Sequence, residues 1–203
     1  MTNMDFFKNI ENFGHTLADL GFSDGATKEQ IIELEDALNR TLPDEFKQFI
    51  KKVNGQVSGN FYFLPDQALL FSTQDIINEY KSLLEYVDDT IEFYDEYQFK
   101  DKVRCSVWSE SRIPIAGNDG YYLFLDYDPG PKGNIGQVIF LINECEYVVL
   151  SPTFKDFIVN YNKLIISKTL KIRKIVEGQY SYFRLTNNKD FLDGNDFVEL
   201  FGQ

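Results

Sequence analysis

The chain holds one histidine, two cysteines, and 20 basic side chains against 32 acidic ones. Each shortage closes off a class of function. Catalysis by histidine can rest only on His15. That residue falls inside a predicted amphipathic helix with no acid–base partner nearby in sequence, the setting of a surface or half-buried histidine. Cys105 and Cys145 stand far apart and outside any Cys-x-x-Cys spacing. Ordinary thiols in a reducing compartment are expected, not a disulfide framework or a metal site. The formal net charge of −12 repels nucleic-acid backbones and anionic membrane surfaces and attracts a basic protein. No apolar run approaches the roughly 20 residues that span a bilayer. The opening MTNMDFFKNIENF lacks a basic stretch followed by an apolar one, so no signal peptide and a cytoplasmic location are expected.

Ligand-binding and catalytic signatures are missing as well. The stretch FLDYDPGPKGNIGQVIFL, residues 124–141, carries two spaced aspartates, three glycines and a lysine. Counted as an EF-hand from Asp126, it has Asp128 at the third place but Gly130, Pro131 and Gln137 where a ligand, a glycine and a glutamate belong. Its glycines at 130, 133 and 136 do not make a Walker loop or a dinucleotide fingerprint. The expectation is a turn between two strands. No serine sits in a Gly-x-Ser-x-Gly elbow, and carboxylate pairs are too plentiful in so acidic a chain to point to glycosidase chemistry. The sequence therefore argues for a protein that is not an enzyme and needs no cofactor or metal.

What the chain has in abundance is aromatic surface: 16% of its 203 residues, with 19 Phe and 12 Tyr. A chain of this length folds with about 70% of its unfolded surface buried. A thick aromatic core with aromatic area left over for a partner is expected. Helical spacing runs over 4–20 through Phe6, Ile10, Phe13, Leu17 and Leu20, with Gly14 weakening it. Thr27 and Gln30 make a capping box for a second helix carrying Ile31, Leu34 and Leu38. Phe46, Phe49, Ile50 and Val53 form the buried face of a third segment after Pro43, with Asn54-Gly55 expected to stop it. FYFLPDQALLF, 61–71, reads as two short strands or one broken by Pro65. Ser72 or Thr73 caps a helix carrying Ile76, Ile77, Tyr80, Leu83, Leu84 and Val87.

The period then changes. VRCSVW, RIPIA, YYLFLDYD, IGQVIFLI and EYVVLS are short β-type segments split by turn residues, and SPTFKDFIVNYNKLII returns to helical spacing. The predicted class is α+β: N-terminal helices, an antiparallel β-meander sheet, a closing helix and a C-terminal appendage. Residues 1–166 are expected to form one domain, and 167–203 a hairpin or helix packed on it.

One local feature stands out. In EYVDDTIEFYDEYQF, 85–99, Glu85, Asp88, Asp89, Glu92, Asp95 and Glu96 alternate with Tyr86, Phe93, Tyr94 and Tyr97, with no basic residue among them. The bland interpretation is a solvated helix end and loop. The functional one is a docking face in which carboxylates steer a basic partner and aromatics such as Tyr94 and Tyr97 anchor it.

Two separated segments resemble the SUKH superfamily, named partly for a yeast cell-wall assembly regulator. In IIELEDALNRTLPDEFKQFIKKVNG, residues Glu35, Leu42, Pro43, Phe46, Lys47, Phe49, Asn54 and Gly55 occupy the places of its N-terminal signature. Trp108, the IPIAGNDGYYLFLDYD strands, the Gly-Gln-Val strand and a closing helix marked by Ser151, Phe154 and Phe157 follow in the order of the family pattern. The resemblance covers roughly 25–165. It implies a strand–loop–strand at 124–141, with Asp126 accepting loop N–H groups, and it implies no catalytic residues. Its functional implication is a bacterial immunity protein that binds the C-terminal domain of a polymorphic or contact-delivered toxin, often a basic nuclease. The alternative is a regulatory scaffold like the fungal wall-assembly regulators. Neither nucleic acid nor membrane is an expected partner, and the oligomeric state stays open.

Overall fold

The structure, a computed structural model, describes residues 3–57, 61–87, 101–104, 108–144, 146–187 and 192–201. It opens with helix α1, Asn3–Glu11. The apolar stripe expected over 4–20 becomes helix only this far, because Gly14 takes φ of 89° and the chain turns. His15 therefore sits after the helix, half-buried, with its ring 4.3 Å from that of Phe183. Phe6 and Phe7 are both buried although adjacent. Phe6 meets Phe63 and Tyr161, Phe7 meets Phe22, and both meet Phe49, so α1 is wedged between layers instead of lying on one.

Strand β1, Phe22–Asp24, leads to α2, Lys28–Ala37, whose Thr27–Gln30 capping box forms as expected. Helix α3, Asp44–Ile50, starts after Pro43 and buries Phe46, Phe49 and Ile50. The turn between these helices is clamped by Glu35. Its Oε1 accepts the Leu42 N–H at 2.7 Å and faces Lys47 Nζ at 3.2 Å. The bond from Lys47 to Asp44, with the Glu35 contact behind it, holds that ammonium above its ordinary range. Two positions of the N-terminal signature are thus one structural device.

Asn54 and Gly55 do something other than end a helix. Helix α3 is over by Ile50, and both residues lie in β2, Val53–Gln56, which pairs antiparallel with β1. Gly55 has φ of 85°, and a Cβ there would stand 2.4 Å from the Ser72 nitrogen. Asn54 Oδ1 accepts the Thr73 N–H at 2.8 Å. The pair docks the start of α4, Thr73–Leu84, which Ser72 caps reciprocally with Asp75.

A five-stranded antiparallel meander forms the centre: β3, Leu69–Leu70; β4, Arg112–Asn118; β5, Tyr121–Asp126; β6, Gln137–Ile142; and β7, Glu146–Ser151, in that spatial order. Of the segment 61–71, only Leu69–Leu70 forms a strand; Phe61 makes a single parallel bridge to Phe183. The strands read as continuous apolar runs because both sheet faces are covered. Leu123, Leu125, Val138, Phe140, Val148 and Leu150 join the main core with the helices. Phe124, Ile139, Leu141, Tyr147 and Val149 form a second cluster with Val103, Trp108, Tyr122 and Leu83.

Helix α5, Phe154–Ile166, is capped by Thr153, while Ser151 ends β7 as a buried residue. Tyr161 on α5 is completely enclosed, and its hydroxyl donates to the Phe63 carbonyl at 2.6 Å. The remaining described residues include a hairpin, β8 (Lys171–Glu177) with β9 (Tyr180–Thr186), and a short helix α6, Gly194–Glu199. Phe197 packs on Phe140 and Tyr161, and Phe201 stacks on Phe157 at 5.4 Å. These contacts tie the tail to the same core as the helices. The architecture is α+β with open sheets.

Candidate functional site

The loop between β5 and β6 is built as a latch. Strand register places Arg112, Asp126 and Gln137 in one row across β4, β5 and β6. Arg112 and Asp126 are both almost fully enclosed, with Nε 3.8 Å from Oδ1. Asp126 Oδ2 accepts from Gln137 Nε2 at 2.9 Å, Oδ1 accepts the Asp128 N–H at 3.2 Å, and the Asp126 carbonyl accepts the Gly136 N–H at 2.7 Å. The loop N–H donation to Asp126 implied by the resemblance is present. Arg112 also donates to the Arg104 carbonyl at 2.7 Å and lies 4.4 Å over the Tyr147 ring. Gln137 Nε2 donates to the Lys102 carbonyl at 2.8 Å. Burial pushes the Asp126 carboxyl above its ordinary range, while Arg112 and the bonds from Gln137 and Asp128 pull it back. Both its oxygens serve the protein's own donors, so the network fastens segment 101–104 and the loop to the sheet.

A different place is open to a ligand. A cleft of about 610 Å³ lies between the β8–β9 hairpin and two turns of the core. Tyr62, Asp66 and Gln67 come from the segment before β3, Asp119 from the β4–β5 turn, Tyr121 from the start of β5, and Tyr180, Tyr182 and Arg184 from β9. Asp66 and Gln67 both take left-handed backbones, with φ of 56° and 62°. The Asn118 amide donates to the Asp66 carbonyl at 3.2 Å and joins the two core turns. Asp66 is half-buried. Burial, helped by the Asp193 charge, raises the Asp66 carboxyl, and the Gly194 N–H pulls it down. Burial first, and then Asp66 and Asp193, raise the neighbouring Tyr121 hydroxyl. On the opposite wall Arg184 lies 5.3 Å over the Tyr182 ring and donates to its hydroxyl at 3.0 Å. Tyr180 is 80% exposed at the mouth. Such a cleft can recognise a cation by stacking and a carboxylate contact.

The sequence-predicted docking face is placed only at its first residue. Glu85 caps the C-terminus of α4 and is exposed, beside an exposed Tyr86. Asp88, Asp89, Glu92, Tyr94, Asp95, Glu96 and Tyr97 lie outside the described residues, as do Cys105 and Cys145. None of the cleft residues was singled out from sequence as a site. A usable signal was present in YSYF, 180–183, where tyrosines alternate at strand period. Among the described residues, no group of three or more His, Cys, Asp or Glu is placed to hold a metal. No helix among them is long and apolar enough to cross a membrane.

Comparison with known proteins adds a family. Residues 25–160 match the SMI1 / KNR4 family (SUKH-1), a span running from before α2 into α5. No curated protein matches the chain. The match takes in the Glu35–Lys47 clamp, the meander and the Arg112–Asp126–Gln137 latch, and it stops short of the hairpin that forms one wall of the cleft. The chain belongs to the SMI1 / KNR4 family (SUKH-1).

Proposed function

We propose that this protein is a non-catalytic immunity protein, which binds a cognate toxin domain of a polymorphic or contact-delivered system and neutralises it. Basic nuclease domains are the first candidates. The observation that carries the proposal is the SUKH-1 match over residues 25–160, because bacterial proteins of the SUKH superfamily characteristically serve as toxin immunity proteins. Charge supports it: a surplus of 12 negative charges steers a basic partner into encounter and disfavours nucleic acid itself. The tyrosine-lined cleft supports it too, since exposed tyrosines with a polar rim are the usual anchors of a protein interface.

Neutralisation demands tight binding. A Kd of about 1 nM corresponds to roughly −12 kcal/mol and usually takes an interface of about 1,600 Å². The cleft would be one anchor in such a face, with the acids from Glu85 through Glu96 as a steering surface. Co-expression tests the proposal. Cells producing the toxin domain encoded beside this chain's gene should survive only when this protein is made with it. Survival unaffected by the protein, with both partners soluble and the toxin active, would overturn the reading.

A further inference from the structure

We infer that the cleft between the β8–β9 hairpin and the core is a receptor for an arginine side chain of the partner, with Asp66 as its acceptor and tyrosine rings as its walls. The identity of the partner rests on the immunity reading; the chemistry of the cleft does not.

Four observations converge. Asp66 lines the cleft with a half-buried carboxylate that takes the Gly194 N–H and keeps acceptor capacity for a further donor. Asp119 also lines the cleft and Asp193 acts on Asp66, while among the described lining residues the one cation is Arg184. That arginine is already engaged with Tyr182 on its own strand. Tyr62, Tyr121 and Tyr180 offer further ring faces around the same space. A guanidinium suits this set better than an ammonium. Its planar fork gives N–H groups to a carboxylate while its face lies on a tyrosine, whereas a lysine offers a compact, strongly hydrated point charge. A cavity of about 610 Å³ holds the side chain with its flanking peptide and is too small for a folded domain.

The position of the cleft assigns it a role. Tyr62, Asp66 and Tyr121 lie inside the family span, while Tyr180 and Tyr182 lie beyond it. The family-matched domain thus supplies the acceptor, and the segment beyond the match supplies the other wall. Partner choice is set where the two meet.

The first test titrates the full protein with the peptide acetyl-Gly-Arg-Gly-amide and follows backbone and tyrosine-ring NMR shifts, with the Lys and Glu analogues in parallel. The arginine peptide should give saturable shifts confined to 62–67, 118–121 and 180–185. Lysine should bind more weakly and glutamate not at all, and Asp66→Asn should abolish the arginine response. No saturable shift, or shifts spread over the acidic surface and unchanged in Asp66→Asn, would overturn the inference. The second test measures binding of the neighbouring toxin domain. Asp66→Asn and Tyr180→Ala, with unaltered melting temperatures, should weaken it by about tenfold to a hundredfold. Wild-type binding that these variants leave unchanged would also overturn the inference, while the immunity reading stands. Absence of toxin binding together with the confined arginine shifts would sink the immunity reading and support the cleft as an arginine receptor.

Discussion

Removing one half of the buried Arg112–Asp126 pair tests how the loop between β5 and β6 is held. Both side chains are almost completely enclosed, so Asp126→Ala leaves a guanidinium in the interior without its counter-charge. It also removes the acceptor used by Gln137 Nε2 and by the Asp128 N–H. Breaking a buried pair in this way costs about 3–5 kcal/mol. In a domain of this size each kcal/mol shifts Tm by about 2–4 °C, which puts the expected drop at about 6–20 °C. The double variant Arg112→Met with Asp126→Leu should recover most of that loss, because apolar residues of similar volume often replace a buried pair without penalty. Urea unfolding of wild type, Arg112→Met, Asp126→Leu and the double variant closes the cycle. A cost below about 1 kcal/mol for Asp126→Ala, the level of an ordinary surface change, would refute the latch. Acidity supplies a second readout. Burial raises the folded carboxyl above its unfolded value despite Arg112. The proton-linked stability from Asp126 is therefore full below the ordinary carboxylate range and is lost as pH rises through the raised folded value. Wild type should lose stability relative to Asp126→Asn across that window, and the opposite slope would show that the pair, not burial, sets the titration.

Other sites give sharper single outcomes. Tyr161→Phe removes the donor to the enclosed Phe63 carbonyl and should cost about 1–3 kcal/mol in chemical denaturation; no measurable cost would mean that the carbonyl finds another donor. Gly55→Ala forces a side chain into a left-handed position 2.4 Å from the Ser72 backbone, so a loss of at least about 2 kcal/mol is expected, and a neutral result would mean that α4 docks without this close approach. Neutralising Glu85, Asp88 and Asp89 together should slow association with a basic toxin domain and flatten its salt dependence in stopped-flow measurements; an unchanged rate and salt slope would place the steering surface elsewhere.

Much of this architecture is written in local pattern. The Thr27–Gln30 and Ser72–Asp75 caps, the meander of short β-branched and aromatic strands, and the periodic α5 all follow from neighbours in sequence. Failures came where a local signal served a distant partner. The apolar stripe beyond Glu11 looked helical because Phe13 and Leu17 do pack on the core, but from a turn. Asn54-Gly55 looked like a helix stop, yet its amide and its missing Cβ serve the start of α4. The Arg112–Asp126 pair depends on strand register, which spacing along the chain does not display. The cleft was least legible, because it joins 62–67, 118–121, 180–185 and Leu192, which no short window contains. Family resemblance reached the domain and its proposed role, but it stops before the hairpin that completes this site.

The most direct test of the immunity proposal is calorimetric titration of the purified protein into the neighbouring toxin domain at low and moderate salt, with residual toxin activity followed in the same samples. The proposal predicts a Kd of about 1 nM or tighter, weakening as salt rises, with toxic activity lost as the complex fills. A folded and active toxin domain that neither binds the protein nor loses activity in its presence would contradict it.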